Sequence, residues 1–303
     1  AWRRDGGVAH RARIEHYPRQ RFGKATFHHA TIARRCGKGN APARAARQLQ
    51  ESLHENLVCA GATGPQPFGP FGTLAMPYFK MGNIDSLDLF GMDELIIFAF
   101  YHANRNRYRK AVDFGANIGL HSIMLSKCGF AVRSFEPDPV HLEKLKSNLA
   151  LNNVNSEVHA AAVSLTDGKT EFVRVLGNTT GSHIKGAKSN PYGPTDVFEV
   201  KLEAAGPHLA WADLAKIDIE GHEAALLTGL PHDTWRTTDA MLEVGTDENA
   251  RQIFAYFKDS SVNLFAQKLG WGKVLTLADM PASHRDGSLF ISAKGQMPWN
   301  GQG

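Results

Sequence analysis

Val112-Asp-Phe-Gly-Ala-Asn-Ile-Gly119, followed by Arg133-Ser-Phe-Glu-Pro-Asp-Pro139, decides the fold of this 303-residue chain. Ala111 to Phe114 reads as a short buried strand. Gly115, Asn117 and Gly119 make a turn that opens into a helix over Leu120 to Cys128. Glycines let a backbone pass close to a ligand without a Cβ clash. A second apolar run, Ala131 to Phe135, ends on Glu136 just before two prolines. Ligands of open α/β sheets bind beyond the carboxyl ends of the strands, so Asp113 and Glu136 are expected to converge on one crevice. A dinucleotide site needs the tighter G-x-G-x-x-G spacing, and here the glycines are spaced G-x-x-x-G. A carboxylate can pair with a cationic group or grip a diol with two hydrogen bonds, so both acids are candidate ligand contacts.

Strand and helix signals alternate from residue 110 onward. Asp138 caps a helix with Pro139 at its first position and Leu142, Leu145 and Leu149 along one face. Strands are expected over Glu157 to Val163, Thr170 to Val175, Phe198 to Leu202, Leu214 to Ile219 and Met241 to Val244. Val274 to Leu277 and Ser288 to Ser292 are expected to close the sheet as a hairpin. Residues 177–196 are polar and rich in glycine and proline, which suits an active-site loop. This alternation predicts an α/β fold: a mostly parallel sheet with helices on both faces.

The second motif is Lys216-Ile-Asp-Ile-Glu-Gly-His-Glu223. Its buried strand ends on Asp218, Glu220, His222 and Glu223. Glu223 suits the first turn of a helix, where an acid favours the dipole. The other three are candidate catalytic groups beside the crevice. Histidine has the unperturbed pKa best matched to proton transfer near neutrality. The four groups lie on one strand-to-helix turn, a spacing that rarely converges on a metal, and no metal is assigned.

These motifs resemble the FkbM family of methyltransferases over about Asp93 to Ser292. The resemblance rests on the 112–119 turn, Phe135-Glu-Pro137, Ala162-Val-Ser164 with Asp167-Gly168, Asn178-Thr-Thr-Gly-Ser-His183 and the 216–223 segment, in that order. It implies a Rossmann-like class I methyltransferase fold with a seven-stranded sheet, and S-adenosyl-L-methionine as methyl donor. The donor would be held by Asp113, Gly115, Ala116, Asn117, Gly119, Glu136, Pro137, Val163 and Asp218. The chemistry implied is O-methylation of a hydroxyl on a sugar, glycan or secondary metabolite. His222, Glu220, Asp218 and, in the polar loop, His183 are the candidate bases. The sequence departs from the family at Phe114, where the pattern has a smaller residue, and in the polar insertion Lys185 to Asp196.

Residues 1–72 lie outside the resemblance and read as a basic N-terminal extension, with the methyltransferase domain over 73–303. Arg3, Arg4, Arg11, Arg13, Arg19, Arg21, Lys24, Arg34, Arg35, Lys38, Arg44 and Arg47 face only Asp5 and Glu15 in the first fifty residues. The net charge of +4 therefore hides a mildly acidic remainder. Such a leader is an organelle transit segment, a nucleic-acid arm or a solvated extension. A nucleic-acid arm would make RNA or protein the alternative methyl acceptor. A helix over Ala41 to Leu57 carries Leu49, Leu53 and Leu57 as one stripe, and Gly61 to Gly72 reads as a linker. No apolar stretch approaches the ~20 residues of a membrane span. Cys36, Cys59 and Cys128 form no C-x-x-C pair, which points to a reducing, cytoplasmic setting. The identity of the acceptor and the oligomeric state are not written in these patterns.

Overall fold

The computed structural model describes residues 64–188 and 193–298. The helix expected over 41–57 and the basic leader lie outside them. Two short antiparallel pairs, Gln66–Pro67 with Thr73–Leu74 and Lys80–Met81 with Ile84–Asp85, precede helix α1 (Met92–Ala103). The strands that follow are β1 (Lys110–Phe114), β2 (Ala131–Phe135), β3 (Glu157–His159), β4 (Ala162–Ser164), β5 (Gly168–Val175) and β6 (His183–Ile184). After them come β7 (Thr195–Ala204), β8 (Leu214–Ile217), β9 (Asp239–Glu243), β10 (Asn263–Ala266), β11 (Gly272–Lys273) and β12 (Ser288–Ser292). The remaining helices are α2 (Leu120–Lys127), α3 (Pro139–Leu151), α4 (Ala205–Trp211), α5 (Glu223–Gly229), α6 (His232–Thr237) and α7 (Asp247–Phe257).

The main sheet runs β11-β10-β12-β9-β8-β1-β2-β3. The five strands from β9 to β3 are parallel, and β12 enters antiparallel between β9 and β10. Parallel strands buried on both faces read as continuous apolar runs. Ala111, Val112 and Phe114 are buried, as are Leu214, Ala215 and Ile217. Two apolar clusters fill the space on the sheet's two faces, one with α1, α2 and α3, the other with α4, α5 and α7.

The structure corrects the strand reading in three places. The main sheet has eight strands, the eighth being the two-residue β11. The run from Glu157 to Val163 is two strands, not one. β3 ends the main sheet, and β4 starts a separate four-stranded sheet, ordered β6-β5-β7-β4. The last hairpin joins β12 to Asn263–Ala266 and not to Val274–Leu277. Gly270 and Trp271, both left-handed at φ 64° and 65°, turn the chain early and spend Gly272 and Lys273 as an edge strand. Asp279 then takes up the backbone and side chain of Thr276 in a capping box, which winds Leu277–Asp279 into a short helical turn.

Phe68 and Phe71, expected in the linker, are buried in the α1–α3 cluster. The packed domain therefore includes at least residue 68 and not only residues from 73 onward. Phe114, too large for the family pattern, is accommodated edge-on against Phe135 at a centroid distance of 5.0 Å.

Candidate active site

The crevice lies at the carboxyl edge of β2, β1, β8 and β9. The β1–α2 turn is pinned from both sides. Gly115 and Ala116 donate their backbone N–H groups to Phe135 O at 3.1 and 2.8 Å. Gly115 sits at φ +79°, and a Cβ there would lie 1.8 Å from the carbonyl oxygen of Asp218. A Cβ on Gly119 would lie 2.5 Å from Leu145 Cδ1 on α3. These two glycines serve close approach of backbone to strand and of helix to helix.

Gly115, Asn117, Glu136, Pro137, Val163, Asp218, Glu220 and His222 line one cavity. Glu136 accepts the backbone N–H groups of Asn117 on Oε2 and Asp138 on Oε1, each at 2.8 Å. Those contacts leave one lone pair per oxygen facing the cavity. Burial pushes its carboxyl up to about 8. Asn117, left-handed at φ 52°, holds an Oδ1 that is out of solvent and without a partner.

Asp113, Ala116 and Gly119 do not line the cavity. Asp113 is fully buried and accepts from Ser122 Oγ at 2.5 Å, with Lys216 Nζ 3.7 Å away. Ser122 and Ser134 hydroxyls meet at 2.6 Å and extend this network under the turn. Asp113 thus orders the turn from below and does not face the cavity. Lys216 also bonds Gly115 O at 3.1 Å and pairs with Asp218 at 3.3 Å. Burial lowers its pKa, but Asp218 and Asp113 outweigh that and hold it above the ordinary lysine value.

At the end of β8, Glu220 is a non-glycine residue at φ 54°, a strained conformation that recurs at functional sites. It forms an ion pair with Lys188. Burial, then Asp218, push its carboxyl up to about 7. Glu223 turns inward, accepting Ile219 N at 3.0 Å and Gly221 N at 2.9 Å, and does not line the cavity. His222 lines the cavity; among the described residues it makes no ion pair and its buried Nε2 has no hydrogen-bond partner. Burial lowers its pKa, so the ring is neutral near pH 7. His183 is buried outside the cavity lining, with Nδ1 3.0 Å from Gly181 O.

Asp218, Glu220, His222 and Glu223 do not converge as metal ligands. Among the described residues the three-ligand group is His159, Glu203 and His208, away from this motif. That group is internally answered: Arg133 Nη1 lies 3.3 Å from His208 Nδ1, and Lys201 pairs with Glu203 at 2.8 Å.

The second sheet supplies the remaining wall. Phe172 and Ile184 line the cavity together with Thr179, Thr180 and Ser182 from the polar loop. Arg174 on β5 grips Asp138 through Nε and Nη2 at 2.6 and 2.7 Å, tying this sheet to the loop that carries Glu136. Burial alone would raise the Asp138 pKa, but Arg174 holds it below the usual range.

Glu94 and Glu243 also line the cavity and were missed. Glu94 reads in sequence only as an acid in a first helical turn. Glu243 ends β9 as Glu136 ends the run of β2, and the strand-end rule that found one would have found the other.

Residues 113–259 match the model of the methyltransferase FkbM domain. Methyltransferase sdnD of Sordaria araneosa is 26% identical over 196 residues, covering 53% of this chain and 76% of that protein. Methyltransferase 1 of Beauveria bassiana is 25% identical over 151 residues, covering 42% of this chain and 61% of that protein. An O-methyltransferase from Bacillus cereus in complex with SAH superposes with a TM-score of 0.35 at 13% identity, covering 64% of this chain and 79% of that one. The motifs quoted from the sequence fall on one crevice within the matched segment, so residues 113–259 form a methyltransferase FkbM domain, and the enzyme is an S-adenosylmethionine-dependent methyltransferase.

Proposed function

We propose that the enzyme methylates a hydroxyl oxygen of a sugar, glycan or secondary metabolite. The observation that carries this reading is the asymmetry of the turn that follows β8. Asp218 and Glu220 are each answered by a lysine, whereas His222 faces the cavity with no ion-pair partner. A neutral imidazole is the form that accepts a proton from an alcohol, and a nitrogen nucleophile with a free lone pair has less need of one.

The cavity fits the donor. Glu136 has lone pairs for a ribose diol, and the orphaned Asn117 Oδ1 is an acceptor awaiting a donor. Glu94 and Asp218 are the cavity carboxylates that receive the ammonium, the part the sequence reading gave to Asp113. When bound, S-adenosylmethionine supplies a methyl group on a positively charged sulfur. The residues of this chain orient the acceptor hydroxyl, and His222 takes its proton as the new O–C bond forms. Positioning carries much of such a reaction, since the methyl group is already activated.

Incubation with a labelled donor and a panel of glycosides, polyols, RNA and proteins tests this reading, with the product located by mass spectrometry. Label on a hydroxyl oxygen is expected. Label on RNA or on a protein nitrogen would replace the acceptor class while leaving the donor site intact.

A further inference from the structure

The cavity's acids differ in whether the protein answers them. Asp218 has Lys216 at 3.3 Å, Glu94 has His121 at 2.8 Å, and Glu220 has Lys188. Glu136 has two backbone N–H groups. Glu243 alone among these has no hydrogen-bond or ion-pair partner among the described residues. Its side chain lines the cavity, and Asp218, Glu220, Glu94 and Glu223 all act on it with like charge. An unanswered carboxyl among carboxylates destabilises the fold, and such groups persist where a ligand completes them.

Its position says which ligand. β8 and β9 pair with Ile217 opposite Leu242, so Glu243 stands beside Asp218 at the sheet's carboxyl edge. Neighbouring strands are ~4.8 Å apart, so β9 lies about 14 Å along that edge from β2 and its Glu136. A donor whose ribose sits on Glu136 carries its methyl a short reach past that ring. The end of β9 is therefore well beyond the ribose, on the side of the cavity where the methyl group and an acceptor can meet.

Resting on the O-methylation reading above, we propose that Glu243 is a specificity-determining residue. It binds a hydroxyl adjacent to the one that is methylated, so the acceptor class is a vicinal diol such as a sugar ring. A carboxyl that keeps its proton both donates and accepts, which is the complement of a hydroxyl. Burial, reinforced by the four neighbouring acids, pushes Glu243 up to about 9 and keeps that proton on at neutral pH. Asp218, Glu220 and Glu94 each have a side-chain partner in Lys216, Lys188 and His121, which leaves Glu243 as the wall acid still to be completed. Thr179, Thr180 and Ser182 add uncharged polar surface to the same cavity.

The test compares a vicinal-diol glycoside with its deoxy analogue lacking the neighbouring hydroxyl, on the full chain and on Glu243→Ala and Glu243→Gln. The wild type is expected to show a KM roughly 10- to 100-fold higher for the deoxy compound. Glu243→Ala should raise KM for the diol by a similar factor, erase the discrimination and leave donor affinity and kcat nearly unchanged. Glu243→Gln, which keeps one donor and one acceptor, should restore most of the diol preference. Discrimination that survives in Glu243→Ala overturns the proposal, as does a loss of donor affinity, which would make Glu243 a donor residue. A large fall in kcat in Glu243→Gln at unchanged KM would make it a base and equally overturn it. An amino-sugar preferred over the diol by the wild type, with that preference lost in Glu243→Ala, would replace the hydroxyl with a cation. A wild type that methylates no alcohol at all sinks the O-methylation reading itself, an outcome distinct from all of these.

Discussion

At the β1–β2 end of the crevice the protein answers its own acids; at the β9 end it does not. Asp113 lies fully buried in a serine and lysine network, and Glu136 is held by two backbone N–H groups. Glu243 has no hydrogen-bond or ion-pair partner among the described residues, and Asp218, Glu220, Glu94 and Glu223 act on it with like charge. On the reading proposed above, the first end is preorganised for one invariant ligand, the donor. The second stores an unmet demand that a variable ligand satisfies. The contrast separates the rigid half of the reaction from the selective half.

The largest expected effect breaks the rigid half. Gly115→Ala would put a Cβ 1.8 Å from Asp218 O at a φ of +79°. Neither the backbone nor the strand can yield, so donor binding is expected to be lost or the fold weakened by several kcal/mol, about the cost of overpacking a core. Calorimetry with S-adenosylhomocysteine and a thermal melt read both, and a variant that binds and melts normally would mean the turn is not rigid.

Next comes the base. His222→Ala is expected to lower kcat roughly 10²- to 10⁴-fold with donor affinity nearly unchanged. Unchanged turnover would leave positioning to carry the reaction alone. Glu220→Gln is the companion variant, and its lysine partner predicts the smaller loss.

Glu136→Ala should cost roughly 1.5–3 kcal/mol of donor affinity, the size of charged hydrogen bonds. The pH dependence sharpens the point. A ribose diol donates to the ionised carboxylate, and Glu136 is raised to about 8. Donor affinity in the wild type is therefore expected to increase as pH rises through about 8. Glu136→Gln should flatten that component, and identical slopes in the two proteins would remove Glu136 from the ribose.

The smallest effect measures the unmet demand itself. Glu243 is raised to about 9 and Glu220 to about 7, so the folded protein holds protons that the unfolded chain has already released. Stability from these groups is complete below the ordinary glutamate range and falls as pH rises through 7 to 9. Glu243→Gln removes part of that fall and should raise the melting temperature at pH 9 by roughly 2–4 °C, about 1 kcal/mol in a domain of this size. A lowered melting temperature there would mean that Glu243 has a stabilising partner.

Particular residues show where sequence reasoning ended. The turn at 112–119, Glu136 and the 216–223 segment were legible because local chemistry made them so: glycines at a strand end, acids where apolar runs stop. Asp113 was legible as a site residue but misplaced, because strand period alone does not tell a ligand from a serine hydroxyl lying beneath. The separate four-stranded sheet was hidden because Ala161, buried between β3 and β4, breaks the run without glycine or proline. Glu94 could not be found from spacing, since α1 reaches the crevice only through tertiary packing. Phe68 sat in a Gly/Pro-rich stretch that signals a loop, and its burial depends on contacts such as Phe90 and Phe98, at 5.9 and 6.5 Å between ring centroids.

The contact between Gly115 and the carbonyl of Asp218 has a consequence for diversification. Because main chain touches main chain there, the spacing between the two half-sites is a constant of the scaffold, indifferent to which side chains surround it. Lineages, or protein engineers, can therefore rewrite wall positions such as 179, 180 and 243 to admit new acceptors without changing that spacing. A replacement at 115 instead disturbs both half-sites at once. Acceptor range is the evolvable coordinate of this enzyme, and donor geometry is the frozen one.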